Sequence, residues 1–208
     1  MAKVSIIMPV FNEVGSVEST ATAIRRTAGA VIEDWELIIV DDGSSDGTGQ
    51  VVDRISDERV RVLHHSVNRG YGAALKTGIL SARHELALII DGDGSYPVEP
   101  MPEMAAAMQR NDMVVAARNR ASASQDLLRR LAKAPIHWLA NYLVGQKIPD
   151  LNSGLRIFRV DLVKKFLHIL PNGFSFTSNI TLALLSEGYR VEYLPIAYNK
   201  RVGPLLSG

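Results

Sequence analysis

The sequence predicts an α/β protein in which helices flank a mostly parallel central sheet. Short apolar runs of strand length alternate with helical patterns, which is typical of parallel sheets joined by right-handed crossovers. Acidic residues follow several of these runs, where open α/β sheets bind their ligands. The length of 208 residues and the hydrophobic fraction of 47% suit a single domain over residues 1–208.

The composition excludes several classes of protein. The chain has no cysteine, which excludes a disulfide framework and a thiolate metal site and agrees with a reducing compartment. Residues 1–3 lead directly into a strand, so we expect no signal peptide. No apolar stretch reaches the roughly 18 residues of a membrane span. We therefore expect a cytoplasmic protein.

The net charge of +1 hides an unequal distribution of charge along the chain. Residues 1–117 hold 10 Lys and Arg against 17 Asp and Glu, a balance of −7. Residues 118–208 hold 13 against 5, a balance of +8. A solvated surface would explain these charges equally well, but their separation suggests that the first part meets a cation and the second an anion.

Five runs in the first part of the chain predict strands, because each is short, apolar and closed by charged or turn-forming residues. These runs cover residues 4–8, 35–40, 59–64, 86–91 and 113–117. Helical patterns lie between them over about residues 17–25, 68–78 and 99–109. A strand through Phe158, two further helices and a closing strand over residues 190–194 complete the prediction.

The fourth predicted strand runs into Asp91, Gly92 and Asp93. If these residues stay extended, the two carboxylates project to the same side. Carboxylates that close raise each other's pKa unless a cation lies between them. A divalent metal with oxygen ligands, and with positions left for phosphate oxygens, satisfies this arrangement.

The same short motif also fits a polar turn and a phosphatase site. A turn after a strand uses the same residue types, and a phosphatase with Asp91 as its nucleophile is compatible with this motif alone. An EF-hand loop that starts at Asp91 is excluded, because its sixth and twelfth residues are Tyr96 and Pro102 where glycine and glutamate are required. The rest of the chain has to decide between the metal site, the turn and the phosphatase.

Acidic residues also follow the first two predicted strands. Asp41 and Asp42 end the second strand, and we expect them to face the same crevice as Asp91. A helix cap at Ser45 or Asp46 accounts for one acid of this segment only. Glu13 follows the first strand at a helix entrance, where it could accept hydrogen bonds from a ligand or simply satisfy the helix dipole. The absence of a G-x-G-x-x-G motif argues against a dinucleotide-binding Rossmann fold.

The segment 68–78 opens a helix with small residues. Free backbone N–H groups at its start, together with Lys76 further along, could approach a phosphate, although close packing would explain the small residues as well. His64 and His65 have no partner at metal-ligand spacing, so we expect them to be structural.

The basic part of the chain contains a helical pattern over residues 127–144, which Pro135 is expected to kink. Arg130, Lys133 and His137 fall three and four residues apart on one side of this helix. This side is either the solvated face of a core helix or a surface that meets an anionic acceptor or lipid headgroups.

Five motifs, in order, together resemble the family 2 glycosyltransferases of GT-A fold, and most of all the dolichol- or polyprenyl-phosphate sugar transferases. The resemblance covers residues 3–203. Each motif is weak alone, but the ordered set is specific. The motifs are Pro9-Val10-Phe11-Asn12-Glu13, the acidic segment from Asp41 to Thr48, Asn68-Arg69-Gly70, Asp91-Gly92-Asp93, and Asp150 with Ser153-Gly154.

The resemblance implies a nucleoside-diphosphate sugar as the donor and Mg²⁺ or Mn²⁺ as the cofactor, held by Asp91 and Asp93. Residues 1–117 would form the nucleotide-sugar and metal-binding half and residues 118–208 the acceptor-binding half. The implied contacts to the nucleotide sugar are Pro9, Asn12, Glu13, Asp41, Asp42, Ser44, Gly70, Lys76, Asp91, Gly92 and Asp93. The implied contacts to a lipid phosphate are Arg118, Arg129, Arg130, Ser153 and Arg201.

Three features depart from the family pattern. Ser95 stands where many such enzymes carry a glutamine that also binds the metal, and Pro204 follows Gly203 where serine and lysine usually continue the basic motif. Many relatives also continue into transmembrane helices, which this sequence lacks.

The resemblance predicts inverting, metal-dependent transfer of a sugar to a polyprenyl phosphate, with Asp93 and Asp150 as the catalytic candidates. Two alternatives are transfer to a saccharide hydroxyl with Asp150 as the base, and a nucleotide-sugar-binding module without activity. We expect peripheral contact with the cytoplasmic face of a membrane and no nucleic-acid partner.

Overall fold

The computed structural model describes residues 3–55, 57–119, 141, 144–145 and 147–198, which form one seven-stranded sheet flanked by helices. The strands are β1 (Lys3–Val10), β2 (Asp34–Asp41), β3 (Val60–His64), β4 (Leu86–Ile89), β5 (Met113–Arg118), β6 (Arg156–Arg159) and β7 (Val191–Ile196). The helices of these residues are α1 (Val17–Val31), α2 (Thr48–Asp53), α3 (Tyr71–Ser81), α4 (Met101–Ala107), α5 (Val160–Phe166) and α6 (Phe176–Ser186).

The strand order is β3-β2-β1-β4-β6-β5-β7, and only β6 runs antiparallel to its neighbours within the described sheet. The other pairings are parallel. This arrangement confirms the predicted α/β class with a mostly parallel sheet. It also explains why the central strands read as continuous apolar runs, since such strands are covered on both faces.

The sheet separates two layers of core. Successive strand residues point to opposite faces, so Ile6 belongs to the layer under α1 and α4, and Ile7 to the layer under α3, α5 and α6. Helix α1 contributes a stripe of buried residues three and four apart, which is the pattern of an amphipathic helix. Burying one Ile side chain in such a layer contributes about 1.5–3 kcal/mol.

The parallel strands β1, β2 and β4 direct their carboxyl ends to one edge of the sheet. Val10 pairs with Asp41, and Asp41 pairs with His64 at the end of β3. The chain after β4 stays beside β1, because the Ile90 N–H donates to the Ile7 carbonyl (3.1 Å). The turns that carry the predicted acidic motifs therefore meet at this edge.

Three sequence-based expectations need correction or lie outside the described residues. Strand β4 ends at Ile89 and a turn begins at Gly92, so Asp91 to Asp93 is not an extended segment. Helix α2 begins at Thr48 with Gly47 (φ 99°) as its N-cap, in place of the expected Ser45 or Asp46. The Asp46 carboxylate still accepts a hydrogen bond from the Thr48 N–H (2.9 Å). The basic side chains expected over residues 127–144 lie outside the described residues.

Candidate active site

The loops after β1 and β2 are joined by reciprocal hydrogen bonds. The Asn12 N–H donates to the Ser44 hydroxyl oxygen (2.9 Å), and the Ser45 N–H donates to Asn12 Oδ1 (2.9 Å). Asn12 has a φ of 53°, a left-handed conformation that asparagine tolerates better than most residues. Pro9, a further residue of this motif, is buried within β1. The hydrogen bonds of Asn12 thus hold the loop after β1 against the loop after β2.

Glu13 is buried at the centre of these loops. Its N–H donates to the Thr48 hydroxyl (2.8 Å), which places α2 against the end of β1. The Ser16 hydroxyl bridges Glu13 Oε2 (3.0 Å) and the Gly92 carbonyl (3.1 Å). One serine therefore connects the Glu13 motif with the turn between Asp91 and Asp93.

Asp42 is held by three donors of the chain itself. The Arg69 N–H and the Gly70 N–H donate to its carboxylate at 3.0 and 2.8 Å, and His65 Nδ1 lies 2.6 Å from Asp42 Oδ1. The other ring nitrogen of His65 lies 2.9 Å from the Thr77 hydroxyl. Asp42 is 3% exposed, so in this structure its side chain stabilises the loop before α3.

Asp41 is engaged in a similar way. The Ser44 N–H donates to Asp41 Oδ1 (3.1 Å), and His64 Nδ1 lies 3.1 Å from Asp41 Oδ2. The second ring nitrogen of His64 lies 2.9 Å from Asp53 Oδ1 in α2. Burial lowers the pKa of His64, but its two carboxylate partners outweigh burial and raise that pKa. His64 and His65 are thus structural, as expected.

Each histidine pairs with one acid of the Asp41–Asp42 motif, which was not predicted from the sequence. The positions of these residues in the sequence could have predicted the pairing. Two acids end β2, two histidines end β3, and parallel neighbouring strands bring their carboxyl ends together.

Asp91 lies at the centre of the edge, between α3 and the loop before β6. The Tyr71 hydroxyl donates to Asp91 Oδ1 (2.8 Å). A Cβ atom added to Gly154 would lie 2.2 Å from Asp91 Oδ2, so the absence of a side chain at Gly154 permits this close approach. Burial, helped by the charge of Asp93, raises the pKa of Asp91 to about 6.

Asp93 is held by the turn that contains it. The Ser95 N–H (3.0 Å) and the Ser95 hydroxyl (2.6 Å) both donate to Asp93 Oδ1. Ser95 is fully buried, so this residue orients the Asp93 carboxylate. The turn, and not an extended strand, therefore places Asp93 near enough to Asp91 for its charge to raise the pKa of Asp91.

Asp91 and Asp93 fit a divalent cation of the Mg²⁺ or Mn²⁺ type. Their oxygen atoms are the donors that such cations prefer, and a cation would compensate the charge that Asp93 adds beside half-buried Asp91. Among the described residues, no group of three or more His, Cys, Asp or Glu side chains could hold a metal. A cation held by these two carboxylates would therefore need further ligands from phosphate oxygens and water.

A loop between α5 and α6 covers the start of α3, where the sequence suggested a phosphate contact. The Ala73 N–H donates to the Asn172 carbonyl (3.1 Å). The Lys76 ammonium donates to the Leu170 carbonyl and to Asn172 Oδ1 (2.9 Å). Gly70 permits this contact, since a Cβ atom there would lie 2.5 Å from the Asn172 carbonyl oxygen. Lys76 is thus engaged by the protein and does not point freely toward a ligand.

Arg118 and Asp150 form a bidentate ion pair at the end of β5. Arg118 Nε lies 2.7 Å from Asp150 Oδ2, and its terminal nitrogen lies 2.9 Å from Oδ1. The Arg118 guanidinium also lies 5.3 Å from the centre of the Tyr198 ring. Burial would raise the pKa of Asp150, but Arg118 outweighs burial and lowers that pKa. A carboxylate held in this way is a poor general base.

Ser153 was predicted to contact a phosphate, but its hydroxyl is engaged within the protein. It is fully buried, and its hydroxyl exchanges hydrogen bonds with the Leu155 backbone (3.3 and 3.4 Å). Three further predicted contacts, Arg129, Arg130 and Arg201, lie outside the described residues.

Arg156 is a buried cation that the sequence analysis missed. It is fully buried, and its guanidinium donates to the Thr177 carbonyl (2.7 Å) and the Thr181 hydroxyl (2.8 Å) of α6 and to the Ser153 carbonyl (3.1 Å). It therefore fixes the loop that approaches Asp91 against α6. Its positive charge opposes the rise in the pKa of Asp91 that burial causes. The available signal was a charged residue inside the apolar run that forms β6.

Comparisons with known proteins find relatives of this sequence. The undecaprenyl-phosphate 4-deoxy-4-formamido-L-arabinose transferase of Pectobacterium carotovorum is 32% identical over 172 residues, which cover 79% of this chain and 51% of that protein. The undecaprenyl-phosphate mannosyltransferase of Micrococcus luteus is 28% identical over 96% of this chain and 84% of that protein. The chain thus spans about half the length of the first of these relatives.

Solved structures support the fold. The glucosyl-3-phosphoglycerate synthase of Mycobacterium tuberculosis, in complex with Mn²⁺, uridine diphosphate and phosphoglyceric acid, superposes with a TM-score of 0.76 at 17% identity, covering 99% of this chain and 72% of that one. The mannosyl-3-phosphoglycerate synthase of Rubrobacter xylanophilus gives 0.74 at 19% identity, covering 98% and 68%. These neighbours confirm the predicted GT-A fold. The family model described as glycosyl transferase family 2 matches residues 5–167, and the chain belongs to that family.

Proposed function

We propose that this chain transfers a sugar from a nucleoside-diphosphate donor to a polyprenyl phosphate, with a divalent cation and with inversion at the anomeric carbon. One observation carries the proposal. Half-buried Asp91, whose pKa is raised to about 6, lies beside Asp93 where the ends of three parallel strands meet. A charge placed there without a cation would oppose folding, and the two carboxylates suit a cation that also binds a diphosphate.

Asp91 and Asp93 would hold the cation, and the loops around Asn12, Glu13 and Asp41 would hold the nucleoside. The bound cation would neutralise the charge that develops on the departing diphosphate. Ser95 keeps Asp93 oriented through two hydrogen bonds, and Arg156 fixes the Gly154 loop against Asp91. These contacts keep the two carboxylates in place before any donor arrives.

The acceptor proposal rests on the Arg118–Asp150 pair and on the relatives. A phosphate oxygen is already anionic at neutral pH, so the attack needs no strong general base. This suits a site in which Asp150 is bound to Arg118. The Arg118 side chain remains 30% exposed and could meet an acceptor phosphate, whereas the Asp150 side chain is 11% exposed. Transfer to a saccharide hydroxyl with Asp150 as the base is less compatible with this ion pair.

Both sequence relatives are named as transferases of undecaprenyl phosphate. A lipid acceptor of this kind would bring the protein to the face of a membrane, and we propose peripheral contact there. None of the helices in the described part of the chain has the length and apolar character needed to cross a bilayer. The basic residues after Arg118 would supply the attraction to anionic headgroups.

The test measures nucleotide release and sugar transfer for a panel of nucleoside-diphosphate sugars, with Mn²⁺, with Mg²⁺ and with a chelator. Each donor is offered undecaprenyl phosphate, phosphoglycerate or no acceptor. Transfer that requires both the cation and undecaprenyl phosphate supports the proposal. Transfer to phosphoglycerate alone would overturn the lipid acceptor, and nucleotide binding without transfer to either acceptor would favour the non-catalytic module.

A further inference from the structure

The first residue of α3 reaches into the acidic centre of the site. Tyr71 donates its hydroxyl hydrogen to Asp91 Oδ1 (2.8 Å). Neither the sequence motifs nor the family resemblance gave this residue a role. We infer that Tyr71 is a positioning residue that holds Asp91 in the orientation needed for cation binding. The inference rests on the proposed metal site and deepens it.

The Tyr71 ring is fixed from outside by the loop between α5 and α6. Phe174 stacks on it with the ring centres 5.4 Å apart and the planes inclined by 20°. Phe174 is 75% exposed, although its ring stacks on Tyr71, which packs against the core layer. A large apolar residue that remains so exposed while stacking on a site residue is better explained by the stack than by core packing.

The same loop fixes the backbone that carries Tyr71. A Cβ atom added to Gly72 would lie 2.3 Å from the Pro171 carbonyl oxygen, and one added to Gly70 would lie 2.5 Å from the Asn172 carbonyl oxygen. The glycines on both sides of Tyr71 thus let the loop backbone press directly on the start of α3. Lys76 adds a hydrogen bond to Asn172 Oδ1 (2.9 Å) one turn further along. The tyrosine is therefore held by contacts to its ring and on both sides of its backbone.

The Asp91 carboxyl group lies directly over Gly154, since an added Cβ atom there would lie 2.2 Å from Oδ2 and 2.8 Å from Oδ1. Tyr71 donates to Oδ1 alone. Rotation of the carboxylate out of this orientation would break the hydrogen bond from Tyr71. The pKa of Tyr71 is raised well above its usual value, first by burial and then by Asp91, so the phenol remains a hydrogen-bond donor at neutral pH. Partners of this kind orient metal-binding carboxylates.

The test compares Mn²⁺ binding by wild type, Tyr71→Phe and Tyr193→Phe, with free Mn²⁺ measured by electron paramagnetic resonance and no donor present. Tyr71→Phe removes the hydroxyl and keeps the ring that stacks on Phe174. Tyr193→Phe is the matched control, because Tyr193 packs on the same core layer and its buried hydroxyl has no hydrogen-bond partner within the described structure. Thermal unfolding of all three proteins checks that the fold is retained.

We expect Tyr71→Phe to weaken Mn²⁺ binding by roughly 10- to 100-fold, the usual effect of losing a partner that orients a metal ligand. Tyr193→Phe should bind Mn²⁺ as wild type does. In a transfer assay, Tyr71→Phe should raise the Mn²⁺ concentration needed for half-maximal rate more than it lowers kcat at saturating Mn²⁺. A merely structural role would lower thermal stability without this selective loss of cation affinity.

The outcomes separate this inference from the proposed function. If wild type binds Mn²⁺ and Tyr71→Phe binds it equally well, the role of Tyr71 is overturned while the metal site stands. If wild type and Asp91→Asn bind Mn²⁺ equally weakly, both without and with a nucleoside diphosphate present, the proposed metal site itself is overturned and the inference fails with it. A loss that appears equally in Tyr193→Phe would also contradict a specific role for the Tyr71 hydroxyl.

Discussion

The Asp41–Asp42 pair and the Asp91–Asp93 pair both follow a buried parallel strand, but their surroundings differ. Asp42 accepts from two backbone N–H groups and meets His65, and Asp41 meets His64 and the Ser44 N–H. Asp91 accepts from one phenol and lies beside a second carboxylate, and its pKa is raised to about 6.

This difference shows that position at the end of a strand does not define the role of an acid. A buried carboxylate surrounded by several donors is stabilised as an anion and organises loops. A partly buried carboxylate with few donors and a negative neighbour gains much more from a cation. The first pair therefore organises the loops at this edge of the sheet, whereas the second pair is the better candidate for the metal.

The largest expected effect is on activity. Asp93→Ala should lower metal-dependent transfer by about 1000-fold or more, because a bound cation contributes several kcal/mol of charge stabilisation and each 1.36 kcal/mol is about tenfold in rate. The fold should remain, as judged by circular dichroism and thermal unfolding. The control is Glu99→Ala, which removes an exposed acid a few residues further along. Undiminished turnover of Asp93→Ala would contradict the metal site.

The second prediction concerns Asp91 and pH. Its pKa in the folded protein is about 6, above the ordinary value of 3.8, so its ionisation opposes folding. The metal-free protein should lose up to about 3 kcal/mol of stability from this group as the pH rises from about 4 to 6. Asp91→Asn should be more stable than wild type at pH 7.5 without metal, and the difference should shrink toward pH 4.

Urea unfolding of both proteins at several pH values measures this difference, in which the titration of the other carboxylates cancels. Added Mn²⁺ should raise the melting temperature of wild type and leave that of Asp91→Asn unchanged. An Asp91→Asn variant that is less stable than wild type throughout this pH range would contradict the contrast between the two acid pairs.

The third prediction concerns Asp42, whose substitution should destabilise the protein where that of Asp91 should stabilise it. Asp42→Asn should lower the free energy of unfolding by about 2 kcal/mol, because an amide cannot replace the charge that the Arg69 and Gly70 N–H groups and His65 meet. Chemical denaturation measures the change. Asp34→Asn is the control, since the Asp34 side chain is 49% exposed and its substitution should change stability by less than about 0.5 kcal/mol. Equal effects of the two substitutions would show that Asp42 is not structural.

The smallest expected effect belongs to His64. Despite burial, Asp53 and Asp41 raise its pKa, so its contribution to stability is complete below the unfolded value of 6.5 and is lost as the pH rises through the raised folded value. The effect should stay below about 1 kcal/mol, because the His64 side chain is 42% exposed. Titration of the imidazole by nuclear magnetic resonance and unfolding of His64→Gln measure it. An imidazole pKa below 6.5 would contradict the pairing.

Much of the fold follows from local sequence properties. Apolar runs predicted the strands, and residues spaced three and four apart predicted α1, because periodic burial leaves a signal in a single segment. The acidic turns were also located, since glycine and aspartate after an apolar run mark the end of a strand. The sequence alone therefore determined the α/β class and the edge of the sheet where the acids gather.

The tertiary structure decided what those acids contact. Tyr71 and Asp91 are 20 residues apart, Ser16 and Gly92 are 76 apart, and Lys76 and Asn172 are 96 apart. No periodic pattern records such pairs, because they depend on which strands become neighbours and how loops pack across the edge. The same reason applies to Asp150, which was the candidate base for a saccharide hydroxyl acceptor and is an ion-pair partner of Arg118 in the folded chain.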